Sequence, residues 1–217
     1  MIKGVISDMD GVILDSEKLY VRFWCEAANF CGYPMKAEHA LGIRSLGRPF
    51  AIEKLRGWFG EGFDYDKVRN KRVEIMDEYV SRHGIDAKSG AETLLKWLKE
   101  HDFRVALATA TPVERAEKYL ERVGLLGYFD AICSARQVKR GKPEPDIYLY
   151  AAEKLSLNPE ECLALEDSQN GVRSAYAAGC KTVLVPDLDN PENELKPMLY
   201  RTAKNLENII DILSETT

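Results

Sequence analysis

The stretch ISDMDGVILDSE, residues 6–17, decides the reading of this chain. An apolar run that begins almost at the first residue ends on two acids, Asp8 and Asp10. Gly11, a second apolar run (Val12, Ile13, Leu14) and the acidic Asp15-Ser16-Glu17 follow. Like charges held close together repel, so at least one of these carboxylates is costly to keep ionised. A cation or a phosphoryl group beside them would change that balance.

Working outward, apolar segments of the same kind recur: FRVALAT (103–109), FDAICS (129–134), CLALED (162–167) and KTVLVP (181–186). Their near-continuous apolar character fits strands covered on both faces. Helical patterns separate them. GAETLLKWLKEH puts Leu94, Leu95, Trp97, Leu98 and His101 near one face, and PVERAEKYLERVGL does so with Ala116, Tyr119, Leu120 and Val123. PDIYLYAAEKLSL opens with Pro145 at an expected first helical position. Alternation of strand and helix predicts an α/β fold: a Rossmann-like, three-layer core on a parallel sheet.

One region breaks the alternation. Residues 16–85 contain no strand pattern. KLYVRFWCEAANFCG carries apolar residues at 19/20, 23/24, 27 and 30/31, and DKVRNKRVEIMDEYVSRHG places its inward positions at 68, 72/73, 75/76 and 79/80. Both spacings are helical. Residues 16–85 therefore read as an inserted α-helical cap domain, with 1–15 and 86–217 forming the catalytic core. The charged stripe on 64–83 reads as a solvated helix face.

Composition narrows the functional classes. Of the 217 residues, 45% are hydrophobic and 30% charged, enough for a substantial core. The net charge of −5 provides no cationic excess for displacing counterions from nucleic acid. The five cysteines form no C-x-x-C pair, so free thiols in a reducing compartment are expected rather than zinc or disulfides. No apolar stretch approaches the roughly 18 residues that span a bilayer, and no signal segment is evident. A cytoplasmic protein with no membrane partner is expected.

In a parallel α/β sheet, ligands bind at the carboxyl ends of the strands. Asp8 and Asp10 follow the first strand, Thr109 ends the second, Lys142 follows FDAICS, and Glu166 and Asp167 end CLALED. Acids for a divalent ion, a hydroxyl for a phosphate oxygen and an ammonium for negative charge suit phosphoryl transfer. Each residue has an ordinary alternative. Asp10-Gly11 is also a turn sequence, Thr109 and Asp167-Ser168 could cap helices, and Lys142 could be a surface lysine. Their joint occurrence at strand ends carries the functional reading.

These motifs make the chain resemble the haloacid dehalogenase superfamily of phosphohydrolases, in the group with a helical cap after the first strand. DMDGVILDSE resembles the first motif, ATAT the second, GKPEPDIY the third and LEDSQNGVRSAYAAG the fourth. The resemblance implies Asp8 as nucleophile and Asp10 as acid/base. It implies Mg²⁺ held by Asp8, Asp10 (through its backbone carbonyl) and Asp167, with Glu166 binding directly, acting through water or orienting the site. Thr109, Ala110 and Lys142 would hold phosphate oxygens.

Dehalogenase relatives lack the second aspartate of the first motif, so Asp10 argues for phosphate chemistry. Phosphonate-cleaving relatives use a cap lysine, and none of Lys18, Lys36, Lys54, Lys67 or Lys71 sits in a distinguishing pattern. The resemblance therefore implies a phosphatase of a small phosphorylated metabolite, above all a sugar phosphate. The rival is a β-phosphoglucomutase-type mutase, whose histidine near the start of the cap corresponds to Tyr20 here. A binding-only protein on the same fold is the third reading. Specificity is expected from Tyr20, Arg44, Arg48, Arg72 and Thr111, although each arginine also reads as an exposed helix residue. Trp24, Trp58 and Trp97 are expected in the core or at the cap interface. His39, His83 and His101 lie outside every motif. A monomer is expected.

Overall fold

The computed structural model describes residues 1–188 and 193–215. Strands β1 (Gly4–Ser7), β2 (Arg104–Thr109), β3 (Ala131–Ser134), β4 (Cys162–Glu166), β5 (Lys181–Leu184) and β6 (Arg201–Thr202) form one parallel sheet. Their order is β3-β2-β1-β4-β5-β6. The chain winds outward in opposite directions on the two sides of β1, where Val5 lies opposite Val105 on one neighbour and Leu163 on the other. A crevice opens beyond the carboxyl ends of β1 and β4 at such a reversal.

Strand alternation divides the core between the two faces of the sheet. Val5, Leu107 and Leu163 pack on one face with α5 (Ala91–Glu100), α6 (Val113–Arg122) and α9 (Asn208–Ser214). Ile6, Ala106 and Ala164 pack on the other with α7 (Asp146–Lys154) and α8 (Gln169–Ala177). Helix α7 begins one residue later than expected, because Pro145 is its N-cap. Ser168 caps α8, its hydroxyl accepting from the Gly171 amide at 3.0 Å.

Residues 17–83 hold four helices: α1 (Glu17–Phe30), α2 (Ala37–Gly42), α3 (Arg48–Phe59) and α4 (Tyr65–His83). Ala27, Met35, Leu55, Phe63 and Val68 make a separate apolar cluster there. Phe23 of α1 and Met76 of α4 join the main core instead, with Phe23 tilted against Tyr79 at 5.2 Å between centroids. Two expectations differ from the structure, and one strand was not expected. Phe30 is 73% exposed under the Lys71 ammonium, Trp58 is 40% exposed, and the two-residue β6 carries no readable alternation. All five cysteines are free thiols. Among the described residues no helix is long and apolar enough to cross a membrane.

Phe23 has the two ends of the helical region leaning on it and is 1% exposed. Phe23→Ala is expected to cost about 3–5 kcal/mol of stability, read from the urea midpoint at unchanged m-value.

Candidate active site

The β1 ladder continues one residue past the strand, the Asp8 amide donating to the Leu165 carbonyl at 2.9 Å. That bond aims the Asp8 side chain into the crevice. Lys142, in the turn after β3, lies beneath it and is 2% exposed. Its Nζ donates to Asp8 Oδ1 at 2.5 Å, Glu166 Oε1 at 2.5 Å and the Ala108 carbonyl at 3.0 Å. The peptide bond between Lys142 and Pro143 is cis. Burial alone would lower the Lys142 pKa, but Asp8 and Glu166 outweigh it and hold the ammonium above its ordinary range. Lys142 is therefore a buried structural cation and not the surface lysine that its isolated sequence allows.

Glu166 is fully engaged. Oε1 also accepts from the Tyr148 hydroxyl at 2.6 Å, and Oε2 accepts from Ser168 Oγ at 3.2 Å. Gly171 lies against this carboxylate so closely that a Cβ there would overlap it.

Asp10 faces a different set of partners. Ser16 Oγ donates to its Oδ1 at 2.6 Å and Thr111 Oγ1 to its Oδ2 at 3.2 Å. The Tyr20 hydroxyl lies 3.2 Å from Thr111 Oγ1, and the Arg72 guanidinium stacks 4.9 Å from the Tyr20 ring centroid. Burial pushes the Asp10 pKa up, opposed by the bonds from Ser16 and Thr111. Burial also raises Asp8, to about 7, although Lys142 works against it.

Asp8, Glu166 and Asp167 bring carboxylate oxygens within 4.8 Å of one another. Both Asp167 side-chain oxygens are buried without a hydrogen-bond partner. Burial raises its pKa well above the ordinary carboxylate range; Arg44 opposes this, and Asp8 and Glu166 add to it. Crowded hard oxygens, two of them without a hydrogen bond though Arg44 Nη1 lies 3.6 Å from Asp167 Oδ2, fit a divalent cation. Asp8 and Asp167 have capacity for it. Glu166 is committed to Lys142, Tyr148 and Ser168, and the Asp10 carboxylate is turned toward Ser16 and Thr111.

The segment after α2 reaches onto the core. Arg44 Nη2 donates to the Asp167 carbonyl at 2.7 Å, and Asn170 Nδ2 to the Arg44 carbonyl at 2.9 Å. The Gly47 amide donates to the Lys142 carbonyl at 2.7 Å. A Cβ on Gly47 would stand 3.0 Å from Gly141 Cα, so two glycine backbones meet here face to face.

A cavity of about 350 Å³ lies between the helical region and the sheet edge. Asp8, Asp10 and Glu17 contribute acids to it, and Ala110 and Thr111 form the wall at the β2 turn. Thr109 is buried behind that wall, its Oγ1 accepting from the Thr111 amide at 3.0 Å. Of the three arginines expected to set specificity, Arg44 and Arg72 are each 6% exposed, while Arg48 is exposed and pairs with Asp66 at 2.7 Å. The charged stripe on α4 is thus not wholly solvated: Arg69 and Arg72 both line the cavity. The sequence assigns no site role to Ser16, Glu17 or Tyr148, and it reads Ser168 only as the helix cap that it is. Ser16 and Glu17 stood in the quoted DSE segment, where proximity to Asp10 was the available signal.

A family model described as haloacid dehalogenase-like hydrolase matches residues 2–179. The chain is 32% identical over 223 residues to the phosphorylated carbohydrates phosphatase of Thermotoga maritima, covering 99% of both proteins. It is 34% identical over 203 residues to hexitol phosphatase A of Escherichia coli, covering 91% of this chain and 90% of that one. The crystal structure of β-phosphoglucomutase from Clostridium difficile superposes with a TM-score of 0.81 at 24% identity, covering 99% of this chain and 96% of that one. This last likeness speaks to the fold.

Cation binding gives a direct test of the acidic cluster. A divalent ion at about a hundred times its Kd adds about 2.7 kcal/mol, which should raise the melting temperature by roughly 5–10 °C. Asp167→Asn should abolish most of that rise. An unchanged melting temperature in millimolar MgCl₂ would overturn the cation site.

Proposed function

Because the chain belongs to the haloacid dehalogenase-like hydrolases, we propose that it is a Mg²⁺-dependent phosphatase of small phosphorylated metabolites, chiefly sugar phosphates, working through an aspartyl-phosphate. The observation that carries this is the division of labour between the two aspartates. Asp8 is tied to a buried ammonium at 2.5 Å, while Asp10 is held by two hydroxyls and faces the cavity.

One oxygen of Asp8 is bound by Lys142, and the other carries no hydrogen bond among the described residues. That second oxygen is available to attack phosphorus. An Asp8–phosphorus bond forms, the bond to the substrate oxygen breaks, and Asp10 gives its proton to the departing alkoxide. A water then loses a proton to Asp10 and attacks the same phosphorus. The Asp8–phosphorus bond breaks, and inorganic phosphate leaves. Mg²⁺ suits the all-oxygen donor set; Asp8, Asp167 and the Asp10 carbonyl would hold it, and it would neutralise charge on the transferred group. Ser16 and Thr111 fix the Asp10 carboxyl so that its proton is delivered in one direction. The Thr109 hydroxyl supports the turn that presents Ala110 and Thr111 to the phosphoryl oxygens.

Residues 16–85 act in this reading as a cap that excludes water while the first ester is broken. The curated relatives named above act on phosphorylated carbohydrates and hexitol phosphates, and this supports the substrate class. Tyr20, at the position that the resemblance matches to the mutase histidine, has its hydroxyl 3.2 Å from Thr111 Oγ1, and this departure from histidine favours the phosphatase over the mutase.

Mg²⁺-dependent release of phosphate from p-nitrophenyl phosphate is the expected activity. Asp8→Asn should lower kcat at least about a thousandfold, and Asp10→Asn by roughly 10²–10⁴. Activity surviving Asp8→Asn would overturn the nucleophile. Conversion of β-glucose 1-phosphate to glucose 6-phosphate without phosphate release would replace the phosphatase by the mutase. No turnover of any phosphate ester would leave the binding protein.

A further inference from the structure

The cavity is electrically lopsided. Its floor carries Asp8 and Asp10, with Lys142 buried beneath them. Arg69 and Arg72 from α4, and Arg136 and Lys139 from the segment after β3, line the cavity as well. None of these four forms an ion pair with a carboxylate among the described residues. Arg48 and Arg115 line the same cavity but are already compensated, by Asp66 at 2.7 Å and Asp77 at 2.9 Å.

Arg72 is the most telling of the four. It is 6% exposed, yet its guanidinium meets only the Tyr20 and Trp24 rings, at 4.9 and 5.3 Å, and Met76 Sδ at 3.8 Å. Its Nε is buried with no hydrogen-bond partner. A buried guanidinium without a counter-ion is costly, and stacking on aromatic faces offsets only part of that cost. Arg69 is half-buried nearby; burial first, then Arg72 and Arg136, push its pKa down, as expected for guanidinium groups held against one another. Folding has gathered like charges from two elements around one cavity; Asp10 balances Arg72 only at longer range, and no carboxylate among the described residues forms an ion pair with any of the four.

The transferred phosphoryl group does not resolve this. On the phosphatase reading its charge would be met by Lys142 and by the cation that Asp8 and Asp167 would hold. A second negative group must meet the four cations. Resting on the phosphatase reading above, we propose that the substrate carries a second anion, a phosphate or a carboxylate remote from the ester that is cleaved, seated by Arg69, Arg72, Arg136 and Lys139. Arg72 and Arg69 would supply planar, charge-assisted donors, and Lys139 and Arg136 would close on the group from the core side. The cavity volume suits a metabolite of sugar size with both ends charged.

Non-hydrolysable probes separate this proposal from catalysis. Calorimetric titration with hexylphosphonate, 6-phosphonohexanoate and hexane-1,6-bisphosphonate, in MgCl₂, reads the value of the second anion directly. At least one doubly charged probe should bind about tenfold or more tightly than hexylphosphonate. The preferred one tells carboxylate from phosphate. The preference should collapse to within about threefold in the Arg69→Gln/Arg136→Gln double variant. These two side chains are half-buried and exposed, and Arg136→Gln alone serves if the double variant melts early. Equal affinities for all three probes, or a preference retained in the variants, overturns the proposal. Absence of p-nitrophenyl phosphate hydrolysis would end the phosphatase reading and leave the probe ratios to decide the anion site.

Discussion

Lys142 is an ammonium with almost no access to water, and its three hydrogen bonds run to residues at the carboxyl ends of β1, β2 and β4. Isolated in such a place it would cost several kcal/mol; between two carboxylates it is the counter-charge that lets them stay close. The dependence is mutual. Removing either acid leaves the ammonium under-compensated, and removing the ammonium leaves Asp8, Glu166 and Asp167 facing one another. Tyr148, Ser168 and the missing side chain at Gly171 all serve this arrangement by fixing Glu166. The crossing point of the sheet is thus set electrostatically as well as by packing of Val5, Leu107 and Leu163.

Around that centre the charges are sorted by depth. Acids gather at the strand ends, and uncompensated arginines hang above them from the helices. Tyr20 stands between the two populations, its ring under Arg72 and its hydroxyl toward Thr111 and Asp10. A dipolar cavity of this kind orients an incoming anion before contact, since low-dielectric walls focus the field. Orientation matters because only one end of the ligand can meet Asp8.

The strand-end acids were readable because each follows a continuous apolar run, Lys142 because it lies in the turn after such a run, and the parallel-sheet rule gathers these ends at one edge. Asp8, Lys142 and Asp167 needed no contact information to be placed together. Arg72 shows where reading by residue type failed. Its spacing with Val68, Met76 and Val80 placed it on the inward face of α4, yet its charge argued for solvent. The structure follows the period, because Tyr20 and Trp24 supply faces on which a guanidinium can lie. Tyr148 escaped notice for a related reason: a tyrosine in an apolar helix reads as packing, and only its neighbour across the sheet gives the hydroxyl a partner. β6 is two residues long, too short for any periodicity to register.

The meeting of Gly47 with Gly141 has a consequence for how closely the segment after α2 can approach the core. Two bare backbones lie in van der Waals touch, and one hydrogen bond joins Gly47 to the carbonyl of the very lysine that balances the acids. A methyl group at either place acts as a doorstop. The fit is therefore encoded by what is absent from two side-chain positions, and it is tied straight to Lys142 through that residue's own peptide group.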